Sequence, residues 1–103
     1  MKLDHKELIL KSLKRQTFSI VTATSASTTL ANNGSAWVTV KPTLTGGQKI
    51  VAPVGYYQNG LANVYLYSYR PTADRDGATV ALYNQSGTSK TGTVSIDFLI
   101  VEE

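Results

Sequence analysis

The sequence predicts an all-β domain, an antiparallel β-sandwich of about seven strands, behind one short N-terminal α-helix. Three observations predict it. The closing run, residues 93–101, alternates with period two: Val94, Ile96, Phe98 and Ile100 fall on one face, Thr93, Ser95 and Asp97 on the other. That is the pattern of a half-buried strand, and four large apolar residues on one face need an opposing sheet. Turn-forming clusters recur between short alternating runs along the rest of the chain, at the spacing that a sandwich or barrel produces. Helical spacing is confined to the first fifteen residues.

In that front segment Asp4 and Glu7 have the form of a capping box, with Asp4 as N-cap and Glu7 at N3. Ile9 and Leu13 are four apart, Leu10 and Leu13 three apart, and Leu3 and Leu10 one heptad apart, so residues 4–15 read as a helix with one apolar stripe. A helix of about 12 residues is marginal alone in water. Leu3, Ile9, Leu10 and Leu13 are therefore expected to dock on the chain's own sheet, on sister copies, or on another protein. Residues 1–16 form this anchor or assembly unit and residues 17–103 the sandwich.

The first strand follows at once, with Phe18, Ile20 and Thr22 alternating against Ser19, Val21 and Ala23. Residues 28–31 offer a second, short strand. Asn32-Asn33-Gly34 is a turn, because Asn and Gly tolerate positive φ. Ala36, Val38 and Val40 alternate with Trp37, Thr39 and Lys41, and Pro42 closes that strand. After a turn at Thr45-Gly46-Gly47, residues 49–54 form a strand that Pro53 marks as an edge or a bulge. Gln58-Asn59-Gly60 is a further turn. Strict alternation over residues 61–70 places Asn63, Tyr65, Tyr67 and Tyr69 on one face and Val64, Leu66 and Ser68 on the other. A polar loop over 71–77, a strand in which Thr79, Ala81 and Tyr83 alternate with Ala78, Val80 and Leu82, and a second polar loop over 84–92 lead to the closing strand. Leu99 and Val101 interrupt its polar side, so its end is expected to be covered on both faces.

The chain's 103 residues correspond to one domain, which buries roughly two-thirds of its unfolded surface. It is 42% hydrophobic and 17% charged, the latter below the usual share of about 25%. There is no cysteine, hence no disulfide framework and no thiolate chemistry. No apolar run approaches the ~20 residues of a membrane span. The basic N-terminus lacks the continuous apolar core and small-residue cleavage site of a secretion signal. The net charge of +3 is placed unevenly. Lys2, Lys6, Lys11, Lys14 and Arg15 outnumber Asp4 and Glu7 by three, whereas five basic and five acidic residues balance over 16–103.

The residues most apt for recognition are Trp37 and the row Tyr65, Tyr67, Tyr69. Tyr and Trp rings stack on apolar faces and keep a polar handle, which suits a subunit contact or a sugar. Asp74-Arg75-Asp76-Gly77 has the look of a calcium-loop fragment, but the further carboxylates and closing Glu of such a loop are missing, and an ordinary charged loop is expected. His5, the one histidine, has no second His, no Cys and no paired acid beside it. No G-x-S-x-G, phosphate-cradling glycine loop or cleft carboxylate pair occurs, so the expectation is a non-enzyme with no catalytic residue, cofactor or metal. The lysines of the helix raise a nucleic-acid reading, weakened by two acids and the lack of an interleaved aromatic.

Two stretches, Asn63-Val-Tyr-Leu-Tyr-Ser-Tyr-Arg70 and Ala78-Thr-Val-Ala-Leu-Tyr-Asn-Gln-Ser-Gly87, precede the closing Gly92-Thr-Val-Ser-Ile-Asp-Phe-Leu-Ile-Val101. Together they resemble the C-terminal β-sandwich modules of tailed-phage virion proteins: tail-tip, receptor-binding and head-fibre proteins. The shared pattern is a strand ending Leu-Tyr-Asn-x-Ser-Gly, a polar loop, then a closing strand of alternating aliphatics. The resemblance implies a jelly-roll-like or immunoglobulin-like sandwich, a homo-oligomer with a trimer favoured, and a place in a virion after synthesis in the host cytoplasm. Its implied partners are sister copies, other virion proteins and a host-surface glycan. Such modules usually end a long fibre; this short chain is expected instead to be a decoration, head-fibre or tail-tip accessory subunit.

Overall fold

A computed structural model of the chain describes residues 16–102. The helix expected over 4–15, with Leu3, Ile9, Leu10 and Leu13, lies outside the described residues. Within them the chain is all-β, as expected, with seven strands: β1 (Thr17–Thr24), β2 (Thr28–Leu30), β3 (Ser35–Val40), β4 (Gln48–Asn59), β5 (Val64–Pro71), β6 (Ala78–Asn84) and β7 (Lys90–Glu102). Every pairing is antiparallel.

The strands form two sheets. In the first, the long closing strand β7 is central: β1 and then β2 run along one of its edges, and β4 runs along the other. In the second, β6 is central between β3 and β5. One hydrophobic cluster joins both sheets. Val94, Ile96, Phe98 and Ile100 of β7 belong to it, as do Val80 and Leu82 of β6. The period-two face read for the closing strand is thus the inner face, and Phe98 and Ile100 are fully buried there. Burying a side chain of that size contributes roughly 1.5–3 kcal/mol. A shared apolar core between two antiparallel sheets makes the architecture sandwich-like.

The outer side of β7 depends on hydroxyl pairs. Thr24 Oγ1 and Ser95 Oγ lie 2.9 Å apart across the β1–β7 ladder, and Thr29 and Thr91 are joined in the same way at 2.8 Å between β2 and β7. Thr22 donates to Asp97, and the Tyr57 hydroxyl donates to the same carboxylate at 3.1 Å. These are the opposed polar pairs that support an antiparallel sheet face.

Strand β4 runs further than its sequence announces. Pro53 does not end it; two register shifts, between Ile50 and Ala52 and between Pro53 and Gly55, absorb the missing N–H, and pairing with β7 continues to Asn59. The turn that follows does not fold the chain back on β4. Gly60, at φ +76°, sends it across to the second sheet, where β5 pairs with β6 alone. At this crossing Gly92 is obligatory: a Cβ there would stand 1.9 Å from the Asn59 carbonyl oxygen. Both β4 and β5 are consequently edge strands, bulged and carrying a proline, which are devices that discourage further strand pairing.

Candidate functional site

The second sheet's outer face holds most of the aromatic residues singled out above, with one correction. β5 carries a register shift between Leu66 and Ser68, so Tyr67 is an extra residue with no partner on β6. Before the bulge, Tyr65 opposes Tyr83 on the outside and Leu66 opposes Leu82 on the inside. After it, Ser68 opposes Ala81 and Tyr69 opposes Val80, which is fully buried. Tyr69 therefore turns inward and packs on the core, and the expected row of three tyrosines is two. The inserted residue breaks the period-two count that put Asn63, Tyr65, Tyr67 and Tyr69 on one side. Asn63 itself lies before the strand, at φ +61°.

Tyr65 and Tyr67 are 54% and 58% exposed and line, with Tyr83 and Gln85, a shallow trough of about 360 Å³. One step along the same face, Trp37 of β3 opposes Ala81, whose small side chain leaves the indole half exposed. The Arg70 guanidinium carbon lies 5.1 Å from the Trp37 ring centroid, a cation–π contact that holds the ring in place. The face thus offers flat rings at its margins, with the half-buried Ser68 between them and Ala81 covered beneath. It can stack on a flat apolar surface and accept or donate hydrogen bonds at its edge. Reading the sequence missed Tyr83 and Arg70; the alternation of residues 78–83 already placed Tyr83 on the outer side, whereas Arg70 has no local signal.

A second feature lies along the open flank of the sandwich, between the edges of β4 and β5. Pro53, Gly55, Tyr56, Leu66, Tyr69 and the buried Ile96 line an open apolar groove of about 390 Å³. It continues past Pro53 and Tyr69 into a smaller hollow beside Pro71 and Arg75. Burial pushes the Tyr56 phenol up to about 12 and raises that of Tyr69 as well. The Tyr56 hydroxyl donates to Gln58 Oε1 at 2.7 Å. The exposed Tyr57 is also raised, first by its hydrogen bond to Asp97 and then by that carboxylate's charge.

The two polar loops have structural tasks. In the first, Thr72 Oγ1 accepts from the backbone N–H groups of Asp76 and Gly77, each at 3.1 Å, and donates to Asp76 Oδ1 at 2.6 Å. That hydrogen bond, with Lys41 at 3.5 Å, holds the Asp76 carboxyl below its ordinary value. Among the described residues no group of three or more His, Cys, Asp or Glu is arranged to hold a metal ion.

In the second loop Asn84 is fully buried. Its amide nitrogen faces the carbonyls of Leu30, Ala31 and Thr88 at 3.0, 3.2 and 2.9 Å, and its amide oxygen accepts from Ser86 N at 2.9 Å. Gly87 takes φ +91° and donates its N–H to Asn32 Oδ1 at 3.0 Å. The Asn-x-Ser-Gly at the end of β6 is thus a plug that ties the β2–β3 turn to the β6–β7 loop.

No protein-family model matches this chain, and no curated protein or solved structure matches it.

Proposed function

We propose that the chain is a non-enzymatic structural subunit of a tailed-phage virion, a decoration, head-fibre or tail-tip accessory protein. In this reading residues 1–16 anchor it to a virion protein or bundle its copies, with a trimer favoured. The sandwich, of jelly-roll-like or immunoglobulin-like type, then contacts neighbouring subunits or a host surface. One observation carries the reading: large apolar and aromatic side chains stand exposed on the outer faces of both sheets, Phe18 and Ile20 on one and Trp37, Tyr65 and Tyr67 on the other. Contiguous exposed apolar surface of that kind marks an interaction site. The resemblance of residues 63–101 to virion sandwiches supplies the class of assembly. Replacing Leu10 and Leu13 by Asp tests it: the variant is expected to lose self-association and incorporation into particles. Unchanged oligomeric state and incorporation would overturn the anchoring role.

The outer aromatic face supports a second reading, a carbohydrate-binding module in which Trp37, Tyr65 and Tyr67 stack on sugar rings. The bulge that gathers Tyr65, Tyr67 and Tyr83 around one trough is what favours it. A glycan array probed with the folded protein is expected to show binding that Trp37→Ala and Tyr65→Ala abolish. An array at background with wild-type protein removes this reading. A third, nucleic-acid binding through the basic N-terminal segment, requires affinity for DNA or RNA that falls steeply with salt.

A further inference from the structure

The outward polar groups of the two sheets differ in what they bind. On the first sheet they pair with one another: Thr24 with Ser95, Thr29 with Thr91, and both Thr22 and Tyr57 with Asp97. On the second sheet the register sets out rows across β3, β6 and β5. Tyr83 and Tyr65 share the first row with Ser35. Trp37, Ala81 and Ser68 form the second, and Thr39, Thr79 and Arg70 the third. None of the hydroxyls in these rows makes a hydrogen bond within the described residues. Arg70 is the one charged residue on the three strands. Its guanidinium lies over the half-exposed Trp37 ring. Among the described residues no carboxylate pairs with it; the ion pair there joins Lys41 to Asp76.

We infer that this face binds an acidic sugar, whose carboxylate pairs with Arg70 while its ring stacks on the aromatic side chains. The inference rests on the carbohydrate-binding reading above and names the class of sugar. A guanidinium presents its N–H donors in a planar fork that matches a carboxylate, and the contact with Trp37 fixes where that fork stands. The C–H face of a sugar ring suits Trp37 and the tyrosines, and its hydroxyls suit the unpaired Ser68 and Thr79. From the Tyr83 row to the Thr79 row is roughly 14 Å, at ~3.4 Å per residue of β6. The acidic unit therefore sits at the Trp37–Arg70 end, and a neighbouring unit of the same glycan reaches the trough of Tyr65, Tyr67 and Tyr83. Two other occupants fit less well. A nucleic acid carries a phosphate on every nucleotide and follows a track of cations. Here Arg70 stands alone on its strands, Lys41 is tied to Asp76, and Asp74 lies in the loop just beyond. The core of a protein interface is depleted in Ser and Ala, yet Ser68 and Ala81 hold the middle of this face.

The test is a glycan array probed with the full chain, with each uronic-acid and sialic-acid glycan printed beside its carboxyl methyl ester. Esterification removes the charge and keeps the ring. Binding is expected on the acids and at least about tenfold weaker on the esters, the loss expected when a hydrogen-bonded charge is removed. Trp37 is the chain's single tryptophan, so its fluorescence is expected to change on adding the acidic glycans in solution. Arg70→Gln is expected to bind acid and ester equally, and Arg70→Lys, which keeps the charge without the fork, to fall between. Loss of Arg70 also frees the Trp37 ring, which weakens both members of a pair alike; the acid-to-ester ratio is therefore the deciding readout. Lys49→Gln removes the same charge from the exposed side of β4 in the first sheet and is expected to keep the wild-type ratio. Circular dichroism is expected to be unchanged in all three variants. Equal binding of acid and ester by the wild type, binding to neutral glycans alone, or a ratio untouched by Arg70→Gln overturns the acidic sugar and leaves the carbohydrate reading standing. An array at background overturns both, and a Trp37 fluorescence change with single-stranded DNA would then give the face to nucleic acid.

Discussion

Removing the side chain of Asn84 measures how far one buried polar residue holds the sandwich together. Asn84→Ala deletes an amide that faces three carbonyls and accepts one backbone N–H, with all four contacts between 2.9 and 3.2 Å. Two amide protons cannot serve three acceptors at full strength, so the set counts as two donated bonds and one accepted. At about 1 kcal/mol each, with more where a buried carbonyl such as Leu30's is stranded, the loss comes to about 3 kcal/mol. For a domain of this size that lowers the melting temperature by roughly 10–20 °C. Ser86→Ala, which removes an exposed hydroxyl that donates to the Thr88 carbonyl and accepts from the Thr88 N–H, is expected to shift it by only about 2–4 °C. Asn84→Asp adds a pH signature. It keeps the acceptor for Ser86 but sets a carboxylate against three carbonyls, so its folded-state pKa rises above the unfolded value of about 4. The folded form then holds its proton more tightly, and stability falls as pH rises from about 4 towards neutrality. Calorimetry or denaturant titration reads all three. An Asn84→Ala melting point within about 4 °C of wild type, or an Asp variant indifferent to pH over that range, would refute the plug.

Further predictions concern the bulge, the phenols and the crossing at Gly92. Tyr69→Ala, on the inner side of β5, is expected to cost about 2 kcal/mol or more, whereas Tyr67→Ala on the bulge costs less than about 1, as chemical denaturation will show; equal costs would contradict the register shift. In a spectrophotometric titration Tyr56 is expected to ionise near 12. Because its folded-state pKa is raised, its contribution to stability is intact below about pH 10 and is lost as pH climbs towards that value. Gly92→Ala is expected to destabilise the protein by at least about 3 kcal/mol or prevent folding, since the added methyl meets backbone rather than a movable side chain. A soluble variant with near-normal melting would show that β7 and the end of β4 do not approach so closely.

Much of this architecture was legible because burial imprints its period on a strand. Val94, Ile96, Phe98 and Ile100 announced the inner face of β7, and Trp37 the outer side of β3. Asn33 and Gly47 supply the positive φ that their turns had called for. What stayed hidden depends on pairing between distant segments. Tyr65-Leu66-Tyr67-Ser68-Tyr69 alternates without fault, so nothing local reveals that Tyr67 is inserted; the shift emerges only when Leu82 and Ala81 claim Leu66 and Ser68. Pro53 rightly marked an edge or a bulge, but nothing local shows that the strand runs on to Asn59, because that pairing is set by β7. Asn84 read as the start of a loop, since its polarity says nothing of the three carbonyls that surround it. The outer aromatic face was therefore found with one wrong member, Tyr69, and without Tyr83 and Arg70.

The claim that the chain is a self-assembling subunit is tested most directly by the mass of the full chain in solution, followed by light scattering across a range of concentrations. The account predicts an oligomer, with three times the 11.1 kDa chain mass favoured, that persists on dilution. A single species of 11.1 kDa at every concentration would contradict it.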